Sequence, residues 1–357
     1  MRLLWMREYA ALPRQNEQPL TAFRSRGHTE SQVVGYHKAA MVFLILRDDI
    51  GVDAFDRGIR RFWEQEKFRR ASWDDLQRAF EASIPAIPPG AVAVAPGVRP
   101  APLGPFFSQW LERTGAPVLG LQDAAVRTVP NGFALSFVLS QPERTYRLRV
   151  PVVIDHDGGS TTEAVRLEGR SERYDIRTAQ RPRRICVDPD FRLFRRPLPG
   201  EVAPILRAVV FDTAVRVVIA AHDAQAAAAA RALAARLLER APPVTERAAG
   251  LPDGAVLLVG TDAAVDAVLK HQSGIAPPAR IAGRGTARAW AARRPGKGVL
   301  VAVSGRDAAA LEDVSGALPH YGSESFVVFD GRRAIDRGVW PVGQSPLCAD
   351  LSARAEM

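Results

Sequence analysis

The sequence is poor in cysteine and lysine and has no long hydrophobic run. Of its 357 residues, two are cysteines, Cys186 and Cys348, and four are lysines. Two distant cysteines give no metal-ligand spacing, so each is expected to be a small buried or incidental residue, and a single disulfide between them stays open. No run of about 18 or more apolar residues occurs, so no membrane-spanning helix is predicted.

The first residues, MRLLWMREYAAL, do not resemble a signal peptide. Charges at Arg2, Arg7 and Glu8 interrupt the stretch that would have to be apolar. Either the protein is cytoplasmic, or the chain begins inside a longer protein whose own signal lies upstream. The compartment is therefore unknown from the sequence, and an exported or membrane-associated parent protein is one of the options.

The chain is strongly basic, with a formal net charge of +9 and a pI of about 10.2. The arginines are scattered, and the densest groups are pairs such as Arg60-Arg61 and Arg69-Arg70. No run of five bases, zinc finger or RNA-binding aromatic motif is present. The pattern favours a solvated basic surface, and no nucleic-acid partner is expected. Binding of nucleic acid or a nucleotide is kept as the least favoured function.

Residues 1–114 are predicted to be helical, with a loop or linker rich in Pro, Gly and Ala over about 84–104. Apolar residues lie nearly all round Gln32–Arg47, which indicates a buried helix. Gly51 is expected to end that helix, and Asp53 is expected to cap the next one.

A third helix is expected to begin at Ser72, because Asp75 three residues later gives a short-chain variant of a capping box. A short helix, FFSQWLERTG, closes the segment. Together these helices are expected to bury six large apolar side chains: Phe43, Leu44, Phe62, Trp63, Phe80 and Trp110.

Residues 115–198 are predicted to form an antiparallel β-sandwich. Short strands at spacings near ten residues are typical of that architecture. The predicted strands are Phe133–Leu139, Tyr146–Ile154, Glu163–Leu167, Arg173–Ile176 and Arg183–Val187.

Residues 199–342 alternate between strand and helix, which predicts a parallel sheet covered by helices. The predicted strands are Arg216–Ala221, Ala255–Val259, Gly298–Ser304 and Ser325–Asp330, the last in a hairpin with Ala334–Val339. The predicted helices are Ala224–Arg240, Asp262–Lys270 and Asp307–Leu318. Residues 343–357 are expected to be a disordered tail.

Several kinds of active site are excluded by their motifs. No two of the six histidines are four residues apart, so there is no H-E-x-x-H, and no Cys/His cluster has zinc-ligand spacing. No G-x-S-x-G, G-x-G-x-x-G or Walker motif occurs. Gly260 and Thr261 lie between a predicted strand and helix, where either a plain turn or a small-ligand site would fit.

Three polar residues, Tyr36, His37 and Lys38, precede the long apolar helix. A tyrosine hydroxyl is neutral near pH 7, since its pKa is about 10. Held rigidly, it can donate a hydrogen bond to an oxyanion at a metal-held tetrahedral centre. Gly35 and Ala39 beside the motif would let the helix approach its neighbours closely. The alternative is that Tyr36 caps a core helix and buries its ring.

Several short motifs, taken in their order along the chain, resemble those of the zinc aminopeptidases of the aminopeptidase N type. These enzymes are also called gluzincins or the membrane alanine aminopeptidase family. Tyr36-His37-Lys38-Ala39-Ala40 resembles the family's Y-x-K-G-A-like motif, with Ala39 in place of glycine. FFSQWLERTGAPVL and VDPDFRLFRR resemble later motifs. The resemblance covers roughly Thr21 to Pro197. A weaker one, through HYGSESFVVFDG, links the end of the chain to a C-terminal extension of some members.

The resemblance implies that Tyr36 is the catalytic tyrosine, that the parent enzyme cleaves peptides at their N-termini, and that it uses zinc. The family's H-E-x-x-H, its distant Glu ligand and its amine-binding motif lie upstream of the tyrosine, and this chain has none of them. The chain is therefore expected to be a fragment without its N-terminal catalytic half, inactive and binding no zinc alone. Its substrate-binding residues are unknown.

The implied fold is multidomain α+β. It comprises a helical fragment of a thermolysin-like catalytic domain, an antiparallel β-sandwich and a three-layer α/β domain. Because the helices would have lost their upstream partners, part of the fragment is expected to expose apolar surface. The alternative function is that of a non-catalytic accessory or binding protein derived from such an enzyme.

Overall fold

The computed structural model describes residues 1–24, 29–85, 102–239, 244–246, 251–270 and 275–351. The protein is mixed α/β with several sheets and divides into two compact units. Unit 1 comprises residues 1–6, 17–201 and the described part of 344–357, and unit 2 comprises residues 7–16 and 202–343. Within the described ranges, no helix is both long and apolar enough to cross a membrane.

Helices precede the strands in unit 1. They are α1 (Arg2–Ala11, of which only the beginning belongs to this unit), α2 (Thr29–Gln32), α3 (Ala39–Ile50), α4 (Val52–Glu66), α5 (Trp73–Glu81) and α6 (Gly104–Phe107). Two π-helical segments, Val33–Lys38 and Ser108–Glu112, join α2 to α3 and extend α6. The buried helix predicted over Gln32–Arg47 is thus a π-helical turn followed by α3, and it continues to Ile50.

One predicted helix cap is confirmed and another is wrong. Ser72 caps α5 reciprocally with Asp75: the Asp75 amide donates to Ser72 Oγ at 3.3 Å, and the Ser72 amide donates to Asp75 Oδ2 at 2.8 Å. Asp53 does not cap α4. The cap residue is Gly51, with φ +86°, because α3 ends and α4 begins at that single residue.

The predicted helical core is partly right. Phe80 and Trp110 are buried, whereas Phe43, Leu44 and Phe62 are half-buried. Trp63 is 61% exposed, so its predicted burial is wrong. The reason lies at Gly58, where a Cβ would come within 2.2 Å of the Phe80 ring. Helix α4 therefore packs its Gly58 face closely on α5, and Trp63 lies on a different face.

Six strands follow in unit 1: β1 (Gly120–Val129), β2 (Gly132–Ser140), β3 (Leu148–His156), β4 (Gly159–Leu167), β5 (Ser171–Thr178) and β6 (Pro182–Val187). Strands β1, β2 and β5 form one antiparallel sheet, and β6, β3 and β4 belong to another. Alternate residues of β3 are buried, so this strand turns one face to the core. Strand β1 was not predicted. Its pairing shifts between Gln122 and Ala125, which interrupts the alternation.

Unit 2 is built on a seven-stranded sheet of order β13-β12-β10-β11-β9-β7-β8. The strands are β7 (Arg216–Ala220), β8 (Val244–Glu246), β9 (Val256–Thr261), β10 (Ala287–Arg294), β11 (Gly298–Gly305), β12 (Phe326–Asp330) and β13 (Arg333–Gly338). Strands β7, β9 and β11 are parallel, as predicted, and the unpredicted β8 is parallel to β7, but β10, β12 and β13 pair antiparallel with their neighbours. The sheet is therefore mixed. The prediction missed β10 because its sequence, ARAWAARR, is rich in alanine, which is depleted in strands.

Both faces of the central strands of this sheet are buried. Its helices are α7 (Ala208–Phe211), α8 (Ala224–Leu238), α9 (Asp262–Lys270) and α10 (Ala308–Val314). Val217 of β7 shares a hydrophobic cluster with α8 and α10, and the next residue, Val218, shares another with α9. Gly260 lies inside β9, where a Cβ would come within 1.7 Å of the Ala220 carbonyl oxygen. Close strand packing thus accounts for this glycine.

The chain returns to unit 1 as a short strand, β14 (Cys348–Asp350), which pairs antiparallel with β6. Cys348 forms a disulfide with Cys186, the residue opposite it. The described part of the predicted disordered tail is therefore ordered, and that prediction was wrong for it. The contacts that order it come from residues more than a hundred positions away, so no local pattern reveals them.

A buried arginine joins this tail to the preceding loop. Arg195, Asp188 and Glu201 are almost wholly inaccessible to solvent. Arg195 Nε donates to Asp188 Oδ2 at 2.8 Å, and its two terminal nitrogens donate to the Glu201 carboxylate at 2.8 and 2.9 Å. Ser345 Oγ donates to the same Glu201 carboxylate at 3.0 Å. One guanidinium therefore organises residues 188 to 201 and the start of the returning strand.

Replacing Arg195 with methionine is expected to destabilise the protein by about 3–5 kcal/mol, because two buried carboxylates would lose their counter-charge. Urea denaturation of the purified chain measures this loss. The matched control is Arg192→Met, since Arg192 is half-exposed and lies 3.9 Å from its carboxylate partner. It should cost less than about 1 kcal/mol. Equal losses in the two variants would contradict the proposed importance of the buried network.

Candidate functional site

Tyr36 lies in the π-helical turn Val33–Lys38 and is 51% exposed. Its ring contacts Phe23 edge-on, with 5.6 Å between centroids and 71° between planes. The alternative, that Tyr36 caps a core helix and buries its ring, is therefore wrong. Turns of this type are rare and occur frequently at functional sites.

Gly35 makes the contact under Tyr36 possible. A Cβ at this position would come within 2.4 Å of the Phe23 ring, too close for any side chain without movement of that ring. The close approach expected from a small residue before Tyr36 is thus present. It leaves Phe23 packed against both Gly35 and the tyrosine ring.

Lys38 anchors the other end of the turn. Its side chain is only 2% exposed, and Nζ donates a hydrogen bond to the Arg113 carbonyl oxygen at 2.9 Å. Burial lowers the pKa of Lys38 to about 8, with the Glu17 carboxylate opposing that shift and the Arg113 charge adding to it. The turn that carries Tyr36 is therefore fixed to the end of a helical segment 75 residues further along the chain.

The aromatic residues around Lys38 include the tryptophan of the second family-like motif. Lys38 Nζ lies 5.8 Å from the centroid of the Phe194 ring. The Trp110 ring packs against Phe194 at 6.5 Å and against Tyr146 at 5.5 Å. The structure thus brings Lys38, Trp110 and the VDPDFRLFRR segment, which contains Phe194, into one cluster.

The residues beside Tyr36 do not fit a zinc site. The ring of His37 is stacked on Trp5 at 6.0 Å, and the next residue, Lys38, is a buried amine. Across the described part of the chain, no three His, Cys, Asp or Glu side chains are grouped so that they could hold a metal. His28 lies outside the described residues.

A cleft of about 530 Å³ lies in the same unit, between the end of α3 and the β3–β4 hairpin. Asp48, on the helix side, accepts a hydrogen bond at its carbonyl oxygen from Arg149 Nη1 at 3.0 Å. Its carboxylate is 3.9 Å from Arg192 Nε. Glu163 and Arg166 of β4 also line the cleft. Sequence reasoning missed it because about a hundred residues separate its helix from its strands.

Comparisons with known proteins identify no family. No protein-family profile matches the chain. No curated protein matches it either. Among solved structures, aminopeptidase A of Legionella pneumophila, in complex with aspartic acid, is similar over 58% of this chain, with 14% sequence identity and a TM-score of 0.35. The match spans 22% of the length of that protein. So weak a likeness does not establish a shared fold.

The buried amine should give the protein a specific pH dependence of stability. The folded-state pKa of Lys38, about 8, is below the ordinary value of 10.5, so the unfolded chain binds more protons between these pH values. The free energy of unfolding should therefore rise from pH 8 to pH 10.5 by about 3 kcal/mol relative to Lys38→Met, which lacks this titration. Urea denaturation at several pH values measures the difference.

Lys67→Met is the matched control, because Lys67 is exposed. Its free energy of unfolding should follow the wild-type pH profile. A constant difference between wild type and Lys38→Met across this pH range would show that the amine is solvated, and would contradict its assignment as a buried anchor.

Proposed function

We propose that this chain is the C-terminal part of a zinc-dependent, aminopeptidase-like metallopeptidase that removes residues from peptide N-termini. In this proposal the chain alone has no peptidase activity. The observation that carries the proposal is the setting of Tyr36. Its ring is half-exposed, while Gly35 and Lys38 on either side are fixed by packing and by a hydrogen bond.

The role of Tyr36 would be to stabilise negative charge on the substrate. Its hydroxyl would donate a hydrogen bond from Oη to the carbonyl oxygen of the scissile peptide as that carbon becomes tetrahedral. A donor that is already in place needs no reorganisation during the reaction. The turn that Lys38 anchors supplies such a fixed position.

The remaining catalytic groups would come from polypeptide outside this chain. Neither an H-E-x-x-H motif nor a described group of metal-binding side chains is present. The metal, the general base and the group that binds the substrate's amino terminus would therefore belong to the missing N-terminal half. Exposed apolar residues near the start of unit 1, Leu3 and Leu4 of α1, agree with the loss of a partner.

A non-catalytic binding protein is the second candidate, and the cleft beside Asp48 favours it. Six charged residues line this cleft: Arg149, Arg166, Arg192, Asp48, Asp49 and Glu163. The three arginines and three acids balance, which suits a ligand that carries both charges, such as a peptide. If this candidate is correct, the chain binds peptides and Tyr36 contributes nothing to their hydrolysis.

The decisive experiment restores the missing half. The coding sequence upstream of Met1 is expressed together with this chain, and hydrolysis of aminoacyl p-nitroanilides is measured. Tyr36→Phe should lower kcat by about 100- to 1000-fold with little change in KM, because the donor acts on the transition state. Tyr321→Phe, in unit 2, is the control and should leave kcat unchanged.

Two results would contradict the proposal. Unchanged turnover of Tyr36→Phe would remove this residue from the mechanism. Peptide cleavage by the purified 357-residue chain alone, abolished by a chelator, would show that the chain is a complete metallopeptidase rather than a part of one.

A further inference from the structure

A stripe of exposed apolar residues runs along α4 and past its end. Val52, Ile59 and Trp63 are spaced by seven and four residues, so they lie on one side of the helix. They are 49%, 38% and 61% exposed, and Phe68, just beyond the helix, is 97% exposed. We call these four residues the apolar stripe. Single exposed apolar residues are common, whereas contiguous exposed apolar patches mark interaction sites.

Phe68 lies in a hydrogen-bonded turn rather than in a frayed end of helix α4. The Lys67 amide donates to the Trp63 carbonyl oxygen and the Arg69 amide to that of Glu66, both at 3.0 Å. Phe68 has φ +61°, a conformation that is costly for a bulky side chain. The turn nonetheless leaves the Phe68 ring almost wholly in solvent, 6.4 Å from the Trp63 ring. Strain of this kind persists where the surrounding structure imposes it, and it often accompanies function.

Basic residues flank the Phe68 ring. Lys67, Arg69 and Arg70 are all exposed, and none of them forms an ion pair within the described part of the chain. No acid lies between Lys67 and Ser72. Along the chain, the nearest exposed acids are Glu64, three residues before Lys67 in α4, and Asp74, four residues after Arg70 in α5. Positive charge is therefore concentrated at the end of the apolar stripe where Phe68 protrudes.

We propose that this end of unit 1 binds the surface of an anionic lipid bilayer, with Trp63 and Phe68 entering the headgroup region. Aromatic rings are favoured at that depth, and lysine and arginine are attracted to anionic headgroups. A protruding ring suits a soft bilayer surface, whereas a protein partner would need a matching pocket. The basic residues supply the charge complementarity. The binding would be peripheral and does not depend on the proposed peptidase function.

The test is sedimentation of the full 357-residue chain with phosphatidylcholine vesicles, with and without phosphatidylserine. Wild-type protein should bind only the anionic vesicles, and added salt should weaken the binding. Phe68→Ser should lower the affinity about tenfold, the loss expected for a buried phenyl ring. Replacing Lys67, Arg69 and Arg70 with glutamine should lower it about 100-fold, at roughly fivefold per base.

Matched controls separate this surface from general effects of charge and hydrophobicity. Ile335→Ser removes an exposed apolar residue of β13. Replacing Arg306, Arg332 and Arg333 with glutamine removes three positive charges from another part of the chain. Both controls should bind as wild type does. Circular dichroism confirms that each variant is folded.

Three outcomes would overturn the proposal. The first is no binding to anionic vesicles at low salt. The second is equal weakening by the control variants, which would indicate non-specific attraction. The third is that replacing Trp63 and Phe68 leaves vesicle binding unchanged. These residues would then serve another role, such as self-association of the chain or binding of single-stranded DNA.

Discussion

A buried cation needs hydrogen-bonding or ionic partners inside the protein, and unit 1 is organised around two such cations, Lys38 and Arg195. The Lys38 ammonium donates to the Arg113 carbonyl oxygen, and the Arg195 guanidinium binds two carboxylates. Lys38 connects segments 75 residues apart, whereas Arg195 holds together the loop between residues 188 and 201. Leaving such a charge without partners would cost several kcal/mol, so these contacts restrict the possible arrangements of the surrounding backbone.

The two cations act on different parts of the unit. Arg195 fixes the loop after β6, and through Glu201 and Ser345 it positions the chain just before β14. The disulfide between Cys186 and Cys348 then closes the same strand pair. Lys38 fixes the turn that carries Tyr36. Its neighbour Phe194 precedes Arg195 in the chain, so the two cations are linked through adjacent residues.

The sequence predicted elements well where the signal was local. The capping box at Ser72, the strands around Val150 and the helix Asp262–Lys270 all follow from short-range patterns. It failed where a long-range contact decides the structure. Strand β14 has three residues and no alternation, and it is held by contacts with residues far back in the chain.

The candidate site shows the same division. The motif around Tyr36 was visible because its polar residues precede an apolar run, and the structure places the tyrosine half-exposed in a π-helical turn. The partners of Lys38 were not visible, since Arg113 and Phe194 are 75 and more residues away. The cleft beside Asp48 was missed for the same reason: its charged residues have no common motif and meet only in the folded chain.

Rigidity of the turn under an exposed phenol is the central physical requirement for Tyr36 to act as an oxyanion donor. Amide hydrogen exchange across Val33–Lys38 measures it directly. If the turn is held as described, its amides exchange only through global unfolding, as slowly as those in the middle of α3. Exchange as fast as that of the exposed residues Phe68–Arg70 would show a turn that opens locally, and would contradict a preorganised role for Tyr36.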